Sequence, residues 1–145
     1  MINVRDLVRQ KGSRVYSIEP DATVLQALKL MAEQNIGAVL VMQDRKVIGI
    51  LSERDCVRKL DLDGRRAEST RVDEIMTSNV LYVNASQSLE ECMAVMIDKN
   101  IRHLPVYEND SLMGVISIRD VLKEVVDYQQ FMITQLEHYI SGARP

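Results

Sequence analysis

The sequence contains an internal repeat that aligns with itself without a gap. Residues 15–60 align with residues 80–125 at an offset of 65, and most other core positions exchange one aliphatic residue for another. Nine aligned positions are identical: Val15/Val80, Met31/Met96, Asn35/Asn100, Ile36/Ile101, Val41/Val106, Gly49/Gly114, Ser52/Ser117, Arg54/Arg119 and Asp55/Asp120. Ungapped self-similarity of this length indicates a duplicated structural unit. Because a unit of about 60 residues buries little core alone, the two copies are expected to pack together.

Each copy predicts an extended piece, a helix, a two-stranded hairpin and a second helix. The first helix of each copy begins with the spacing of a capping box, Thr23 with Gln26 and Ser88 with Glu91. The expected fold is therefore α+β, with tandem βαββα repeats packed about a pseudo-twofold axis. The predicted divisions are repeat one with an N-terminal helix at 1–62, a polar linker at 63–71, repeat two at 72–126 and a C-terminal helical extension at 127–145.

Each copy also carries the phrase Ser-x-Arg-Asp where its last strand gives way to a helix, at Ser52–Asp55 and at Ser117–Asp120. A carboxylate at this point can accept hydrogen bonds from both hydroxyls of a ribose, and a helix start attracts phosphate. The same phrase is also a capping box, which only stabilises the helix. The two roles can coexist, and the preservation of Ser, Arg and Asp in both copies favours binding.

Two strand glycines, Gly49 and Gly114, precede these phrases. Glycine inside a strand usually marks a bulge or a close approach to the backbone. A bound ligand and tight packing between the repeats both remain open as explanations.

These features together resemble the CBS (cystathionine β-synthase) domain, including the phrase Asn100–Val106, and the duplication resembles a CBS pair or Bateman module. The resemblance covers about residues 2–126 and is closest to stand-alone bacterial CBS-pair proteins. It implies a non-catalytic regulatory module that binds adenine nucleotides (AMP, ADP or ATP, or alternatively NAD or S-adenosylmethionine) in clefts between the repeats. Such a module signals to a protein partner by conformational or oligomeric change.

The resemblance also assigns roles to residues. It implies ribose contacts from Asp55, Asp120, Ser52 and Ser117. It implies phosphate contacts from Arg102, His103, Arg54, Arg119 and Arg14. It implies an adenine pocket from Gly12, Val15, Tyr16, Ile36, Gly37, Ala38, Thr77, Val80, Leu81, Ile101, Leu104, Pro105 and Ile116. Repeat one has Gly37 and Ala38 where repeat two has Arg102 and His103, so the two clefts should differ, and the site at Asp120 is the stronger candidate.

Composition excludes several other functions. A net charge of −3, a pI near 5.4, one Phe and no Trp argue against nucleic-acid binding. Cys56 and Cys92 lack metal-ligand spacing and are expected to be buried thiols without a metal. The sequence shows neither an activated nucleophile nor a phosphate-binding glycine loop, so it does not suggest an enzyme. Charges near the N-terminus, and the lack of an apolar run of about 20 residues, predict a soluble cytoplasmic protein that does not enter a membrane.

The C-terminal helix is predicted from Arg119 to about Ser141, longer than the fold requires. It carries an apolar stripe that includes Leu122, Met132 and Leu136. The stripe can pack on its own domain or form a homodimer contact, and we favour the homodimer. An alternative function, a scaffold that acts through this helix without any nucleotide, follows from the same stripe.

Overall fold

The computed structural model describes residues 1–12 and 14–142 and divides the chain into two compact units. We call Arg14–Leu81 the middle unit, and Met1–Ser13 together with Tyr82–Pro145 the terminal unit. The helical extension predicted at 127–145 is described as far as residue 142, and its last three residues lie outside the described residues.

The elements, in chain order, are α1 (Val4–Lys11), β1 (Ser17–Ile18), α2 (Val24–Gln34), β2 (Ala38–Gln43), β3 (Lys46–Ser52), α3 (Glu53–Cys56), α4 (Val72–Ile75), β4 (Val83–Asn84), α5 (Leu89–Lys99), β5 (His103–Glu108), β6 (Ser111–Ser117) and α6 (Ile118–Ser141). Each unit contains a three-stranded sheet, β1-β2-β3 or β4-β5-β6, with one parallel pair and one antiparallel hairpin. The predicted α+β class and the order of elements within each repeat are confirmed.

The two sheets have the same register after the offset of 65 residues. In the β2–β3 hairpin Ala38 faces Ser52, and in the β5–β6 hairpin His103 faces Ser117. Each hairpin closes through two residues with positive φ: Asp44 and Arg45 in the first, Asn109 and Asp110 in the second. Positive φ at both central residues matches the twist of the flanking strands, and three of these four residues are Asn or Asp, which adopt positive φ more readily than most residues.

The helix starts follow the predicted capping rules with one exception. At α2, the amide of Gln26 donates to Thr23 and the Gln26 side chain accepts from the Thr23 amide, so this capping box is confirmed. At α5, the amide of Glu91 donates to the Ser88 hydroxyl, but the Glu91 carboxylate accepts from Gln87 Nε2 and the Ser88 hydroxyl. The return bond predicted at Ser88 is wrong, because the carboxylate is turned toward Gln87.

Three segments differ from the predicted elements. The helix predicted after Ser52 is α-helical only through α3 and continues as a π-helical segment, Val57–Asp61. The extended piece of the second copy was expected at the start of the aligned repeat, from Val80, whereas strand β4 begins at Val83. The polar linker contains a 3₁₀ turn, Ala67–Ser69, and the buried Thr70 after it accepts a hydrogen bond from the Val24 amide at 2.8 Å. Polar composition predicts a loop but does not reveal such backbone bonds.

Each unit has its own aliphatic core. The middle core includes Val24, Met31, Val39, Val41, Leu51 and Val72, and the terminal core includes Val4, Val8, Leu89, Met96, Leu104 and Ile116. Helix α1, which the sequence division places with repeat one, therefore packs against the strands of repeat two, and α4 packs against those of repeat one. The sequence repeat and the compact units divide the chain differently.

The two strand glycines make room for chain segments of their own units. A Cβ at Gly49 would overlap the thioether of Met76, and a Cβ at Gly114 would lie 3.1 Å from Cγ1 of Val8. Met76 directly follows α4, and Val8 lies in α1. Of the two explanations for these glycines, close packing between chain segments is the one observed at both positions.

Helix α6 has 24 residues, Ile118–Ser141, and so begins one residue before the predicted start at Arg119. Its first turns pack in the terminal core through the buried Val121, with Ile118 and Val125 partly buried beside it. The apolar side chains that follow are largely exposed. Among the described residues, no helix is both long and apolar enough to cross a membrane.

Candidate functional site

The two Ser-x-Arg-Asp phrases occupy the same structural position in their units. Each serine ends the second hairpin strand and caps the helix that follows, Ser52 at α3 and Ser117 at α6. In both phrases the aspartate amide donates to the serine hydroxyl at 3.1 Å. The serine amide donates back to the carboxylate of Asp55 at 3.0 Å and to that of Asp120 at 2.8 Å. Both are complete capping boxes, so the predicted structural role of these residues is confirmed.

In the middle unit both carboxylate oxygens of Asp55 have partners. Oδ2 accepts from the amide and the hydroxyl of Ser52. Oδ1 accepts from Oγ1 of Thr77 at 3.3 Å and pairs with Nζ of Lys59 at 3.2 Å. The Asp55 side chain is only 14% exposed. Asp55, Ser52, Thr77 and Lys59 form what we call the Asp55 cluster.

Two contacts of Asp55, with Thr77 and with Lys59, were not predicted from the sequence. Thr77, which the resemblance places in an adenine pocket, is held against β3 by two backbone hydrogen bonds with Ile50, of 2.9 and 3.0 Å. This bridge brings its hydroxyl to a carboxylate 22 positions earlier in the chain. Lys59 was missed by sequence reasoning, although its i,i+4 spacing from Asp55 in a predicted helix was an available signal.

In the terminal unit Asp120 forms an ion pair with Lys11. The lysine Nζ donates to Oδ2 of Asp120 at 2.7 Å and to the carbonyl of Val115 at 2.9 Å. The side chains of Lys11 and Asp120 are 40% and 24% exposed, respectively. Lys11 was missed because the repeat alignment places Met76 at its position and because nothing in the sequence assigns α1 to the terminal core.

The imidazole of His103 lies at the same end of α6 as Asp120, because His103 faces Ser117 in the β5–β6 register. Burial lowers the pKa of His103, the charges of Lys11 and Arg102 lower it further, and Asp120 acts in the opposite direction. The side chain is therefore neutral at pH 7. We call Lys11, His103, Ser117 and Asp120 the Asp120 cluster.

Asp120 itself is ionised. Burial raises the pKa of its carboxyl group, but the hydrogen bond and charge of Lys11 and the bonds from Ser117 outweigh burial and bring the pKa below its ordinary value. A carboxylate, an ammonium group and a neutral imidazole thus lie together at the start of a long helix. This combination can accept hydrogen bonds from hydroxyl groups and donate them to phosphate oxygens.

The middle unit lacks part of this chemistry. Ala38 faces Ser52 at the position that His103 occupies in the terminal unit, and Gly37 replaces Arg102. Arg54 lies in the first turn of α3, as Arg119 does in α6. Among the phosphate candidates outside these turns, Arg14 is exposed, and its Nη1 lies 3.5 Å from the Tyr16 hydroxyl.

The residues predicted to form an adenine pocket are divided between the units. The terminal unit contains Gly12, Ile101, Leu104, Pro105 and Ile116, and the middle unit contains Val15, Tyr16, Ile36, Gly37, Ala38, Thr77, Val80 and Leu81. The side chains of Leu104, Pro105 and Ile116 are buried, so these residues can contact a ligand only through their backbone. Gly12 ends α1 directly after Lys11, beside the Asp120 cluster.

The duplicated sheets and their shared Ser-Asp positions can be compared with known proteins. The family model of the CBS domain matches residues 1–62 and 72–127. The chain belongs to the CBS domain family. Its two matches form a CBS pair, as the resemblance implied.

Curated relatives carry the same domain. The mitochondrial CBS domain-containing protein CBSX3 of Arabidopsis thaliana is 32% identical over 148 residues, which cover 96% of this chain and 72% of the relative. The CBS domain-containing protein YhcV of Bacillus subtilis is 29% identical over 121 residues, which cover 83% of this chain and 84% of the relative. Both are named for their CBS domains and not for a catalysed reaction.

Solved structures share the fold. A protein from Burkholderia ambifaria, described as a candidate signal-transduction protein with CBS domains, is 43% identical with a TM-score of 0.84, covering 87% of this chain and 95% of that one. The CBS-domain structure designated NE2398 is 42% identical with a TM-score of 0.82, covering 86% and 98%. A hexameric CBS-CP12 protein from cyanobacteria is 29% identical with a TM-score of 0.75, covering 83% and 70%.

Proposed function

We propose that this CBS pair is a cytoplasmic, non-catalytic regulatory module that binds an adenine nucleotide at the Asp120 cluster. The observation that carries the proposal is the ionised Asp120 at the start of α6, with Lys11 and the neutral His103 beside it. Candidate ligands are AMP, ADP, ATP, NAD and S-adenosylmethionine, because all of them contain adenosine.

The ribose would bind the carboxylate. Oδ2 of Asp120 takes part in the capping box and the lysine pair, whereas Oδ1 is used by neither. Oδ1 can therefore accept from one ribose hydroxyl without breaking the cap, and the second hydroxyl would compete with Lys11 for Oδ2. Charge-assisted hydrogen bonds of this kind contribute roughly 1.5–3 kcal/mol each.

The phosphates would bind the surrounding donors. Lys11, His103 and the exposed Arg102 lie on the α1 and β5 sides of Asp120, and Arg119 lies in the first turn of α6. The start of a helix this long adds backbone amides and the positive end of its dipole. This donor set suits one or more phosphate groups.

The Asp55 cluster is the weaker candidate. Both oxygens of Asp55 already have partners in Ser52, Thr77 and Lys59, and Ala38 replaces the imidazole. A ribose at Asp55 would have to displace the threonine or the lysine. We therefore expect Asp120 to bind nucleotide more tightly than Asp55.

Regulation requires that the nucleotide prefers one arrangement of the protein over another. The non-catalytic assignment draws on the relatives, which are named for CBS domains, and on the Burkholderia protein, described as a candidate in signal transduction. A change in conformation or in assembly on binding would be read by a protein partner.

The test is isothermal titration calorimetry of the full chain with AMP, ADP, ATP, NAD and S-adenosylmethionine. Asp120→Asn retains an acceptor for the Ser117 amide but loses the charge, so we expect affinity to fall about 10- to 100-fold. Asp55→Asn should have a smaller effect. Asp127→Asn, on an exposed part of α6, is the matched control and should bind as wild type does.

Two results would refute the proposal. One is a wild-type protein that binds none of the five compounds below millimolar concentration. The other is a folded Asp120→Asn variant that binds the nucleotide with unchanged affinity, which would leave Asp120 with a structural role alone.

A further inference from the structure

Helix α6 carries a row of exposed residues at the spacing of a coiled coil. Their positions follow one another at intervals of four and three residues: Leu122, Val126, Gln129, Ile133, Leu136 and Ile140. The five apolar members are 46%, 60%, 48%, 56% and 83% exposed, in chain order. The row is distinct from Ile118, Val121 and Val125, which pack in the terminal core. We call it the exposed row.

Alternating intervals of three and four residues indicate a partner that is itself a helix. The row extends over 18 residue steps, from Leu122 to Ile140, or about 27 Å of helix. An apolar strip of this length on an otherwise soluble domain marks an interaction surface. The pattern on its two sides then specifies which helix fits.

The two sides of the exposed row differ in chemistry. On one side lie Lys123, Gln130 and Glu137, each exposed and polar. On the other side lie Met132 and Tyr139, which are 40% and 85% exposed, and Val125, which is partly buried against the terminal core. In a parallel pair of coiled-coil helices, the polar side of one helix contacts the apolar side of the other. In an antiparallel pair, the polar sides contact each other and the apolar sides contact each other.

We propose that α6 pairs antiparallel with α6 of a second copy of this chain, centred near Phe131. In this arrangement Lys123 of each copy meets Glu137 of the other, and Gln130 meets Gln130. A parallel pair would place Met132 beside Glu137 and leave no opposite charges together. Charge complementarity therefore selects both the occupant and its direction.

The exposed row fits the same register. Leu122 faces Ile140 of the second copy, Val126 faces Leu136, and Gln129 faces Ile133. On the apolar side Met132, which is 40% exposed, faces Met132 of the second copy. The pairings of Leu122 with Ile140 and of Val126 with Leu136 thus form with one choice of centre and each occur twice, because the interface is isologous, whereas the Met132 pairing lies on the twofold axis and occurs once.

The first experiment measures assembly of the full chain by sedimentation equilibrium. Ile133→Glu places a charge in the row and should raise the dissociation constant about tenfold or more. The control, Thr134→Glu, adds the same charge one position away and outside the exposed row, where the hydroxyl donates to the carbonyl of Gln130 in its own helix. It should assemble as wild type does.

The charged side is tested by reversal. Lys123→Glu alone places like charges together twice per dimer and should weaken assembly several-fold, and Glu137→Lys should do the same. The double variant Lys123→Glu/Glu137→Lys should restore wild-type assembly. Since all of these side chains are exposed, circular dichroism should show unchanged folding.

Direction is tested by oxidative cross-linking. In the antiparallel pair Val126→Cys and Leu136→Cys cross-link when the two variants are mixed, and neither cross-links with itself. The native Cys56 and Cys92 are buried and should not interfere. Self-linking of Val126→Cys, a monomeric wild type, or an Ile133→Glu variant that assembles normally would each overturn the proposal. None of these outcomes depends on nucleotide binding.

Discussion

The ion pair between Lys11 and Asp120 can be isolated by a double-mutant cycle. The variants are Lys11→Met, which keeps the length of the side chain, Asp120→Asn, which keeps an acceptor for the Ser117 amide, and the two combined. The coupling free energy of the cycle removes the separate effects of each substitution on packing and capping. It therefore measures the pair itself.

The structure sets the expected size of this coupling. Nζ of Lys11 and Oδ2 of Asp120 are 2.7 Å apart, but the side chains are 40% and 24% exposed, so water screens much of the attraction. Partly exposed pairs usually contribute about 0.5–1 kcal/mol after this screening and the loss of side-chain entropy. We expect a coupling of about 1 kcal/mol in low salt, and Lys11→Met should lower the melting temperature by roughly 2–4 °C.

The pH dependence has a defined sign. Because the pKa of Asp120 is lowered in the folded protein, its contribution is present above the unfolded pKa of about 3.9 and is lost as the pH falls through the folded value. Urea denaturation at pH 7 and in strong acid measures how much of the free energy of unfolding is lost when Asp120 is protonated. Lys99→Met is the control, since Lys99 and Asp98 are 3.6 Å apart and highly exposed. A coupling below about 0.3 kcal/mol at pH 7 would refute the reasoning.

Three further outcomes are expected. Gly49→Ala should destabilise the protein by about 1–3 kcal/mol in urea denaturation, because its Cβ would overlap Met76, and Gly114→Ala should cost less, since a Cβ there meets only Val8, at 3.1 Å. NMR titration should place the pKa of His103 below 6.5, so that stability falls as the pH drops from 6.5 toward the folded value, and Lys11→Met should raise this pKa. A thiol reagent should label the buried cysteines only on unfolding, since burial raises the pKa of both thiols to about 11.

The repeat made the sheets predictable. Once residues 15–60 and 80–125 were aligned, one offset carried the register of the first hairpin onto the second, with Ala38 opposite Ser52 and His103 opposite Ser117. Capping at Ser52 and Ser117 was also predictable, because a capping box needs only residues three positions apart. These features depend on short-range or periodic patterns.

The partners of the two carboxylates could not be predicted in the same way. The apolar face of α1 shows that Val4 and Val8 need a core, but the sequence does not say which of two similar cores receives them. That choice brings Lys11 to Asp120, across 109 residues of sequence. Likewise, Thr77 reaches the Asp55 cluster only through its bridge with Ile50. Long-range packing decided both contacts.

The pairing of Lys11 with Asp120 has a consequence for selectivity among ligands. The lysine acts as an internal competitor, because a ribose that takes both carboxylate oxygens must release an ammonium group that needs a new anion. AMP, ADP or ATP supplies that anion through its phosphates, whereas adenosine supplies none. Under the proposed mode of binding, adenosine alone would therefore bind poorly despite carrying the same ribose and base. The site would respond to the charge of the nucleotide as well as to its sugar.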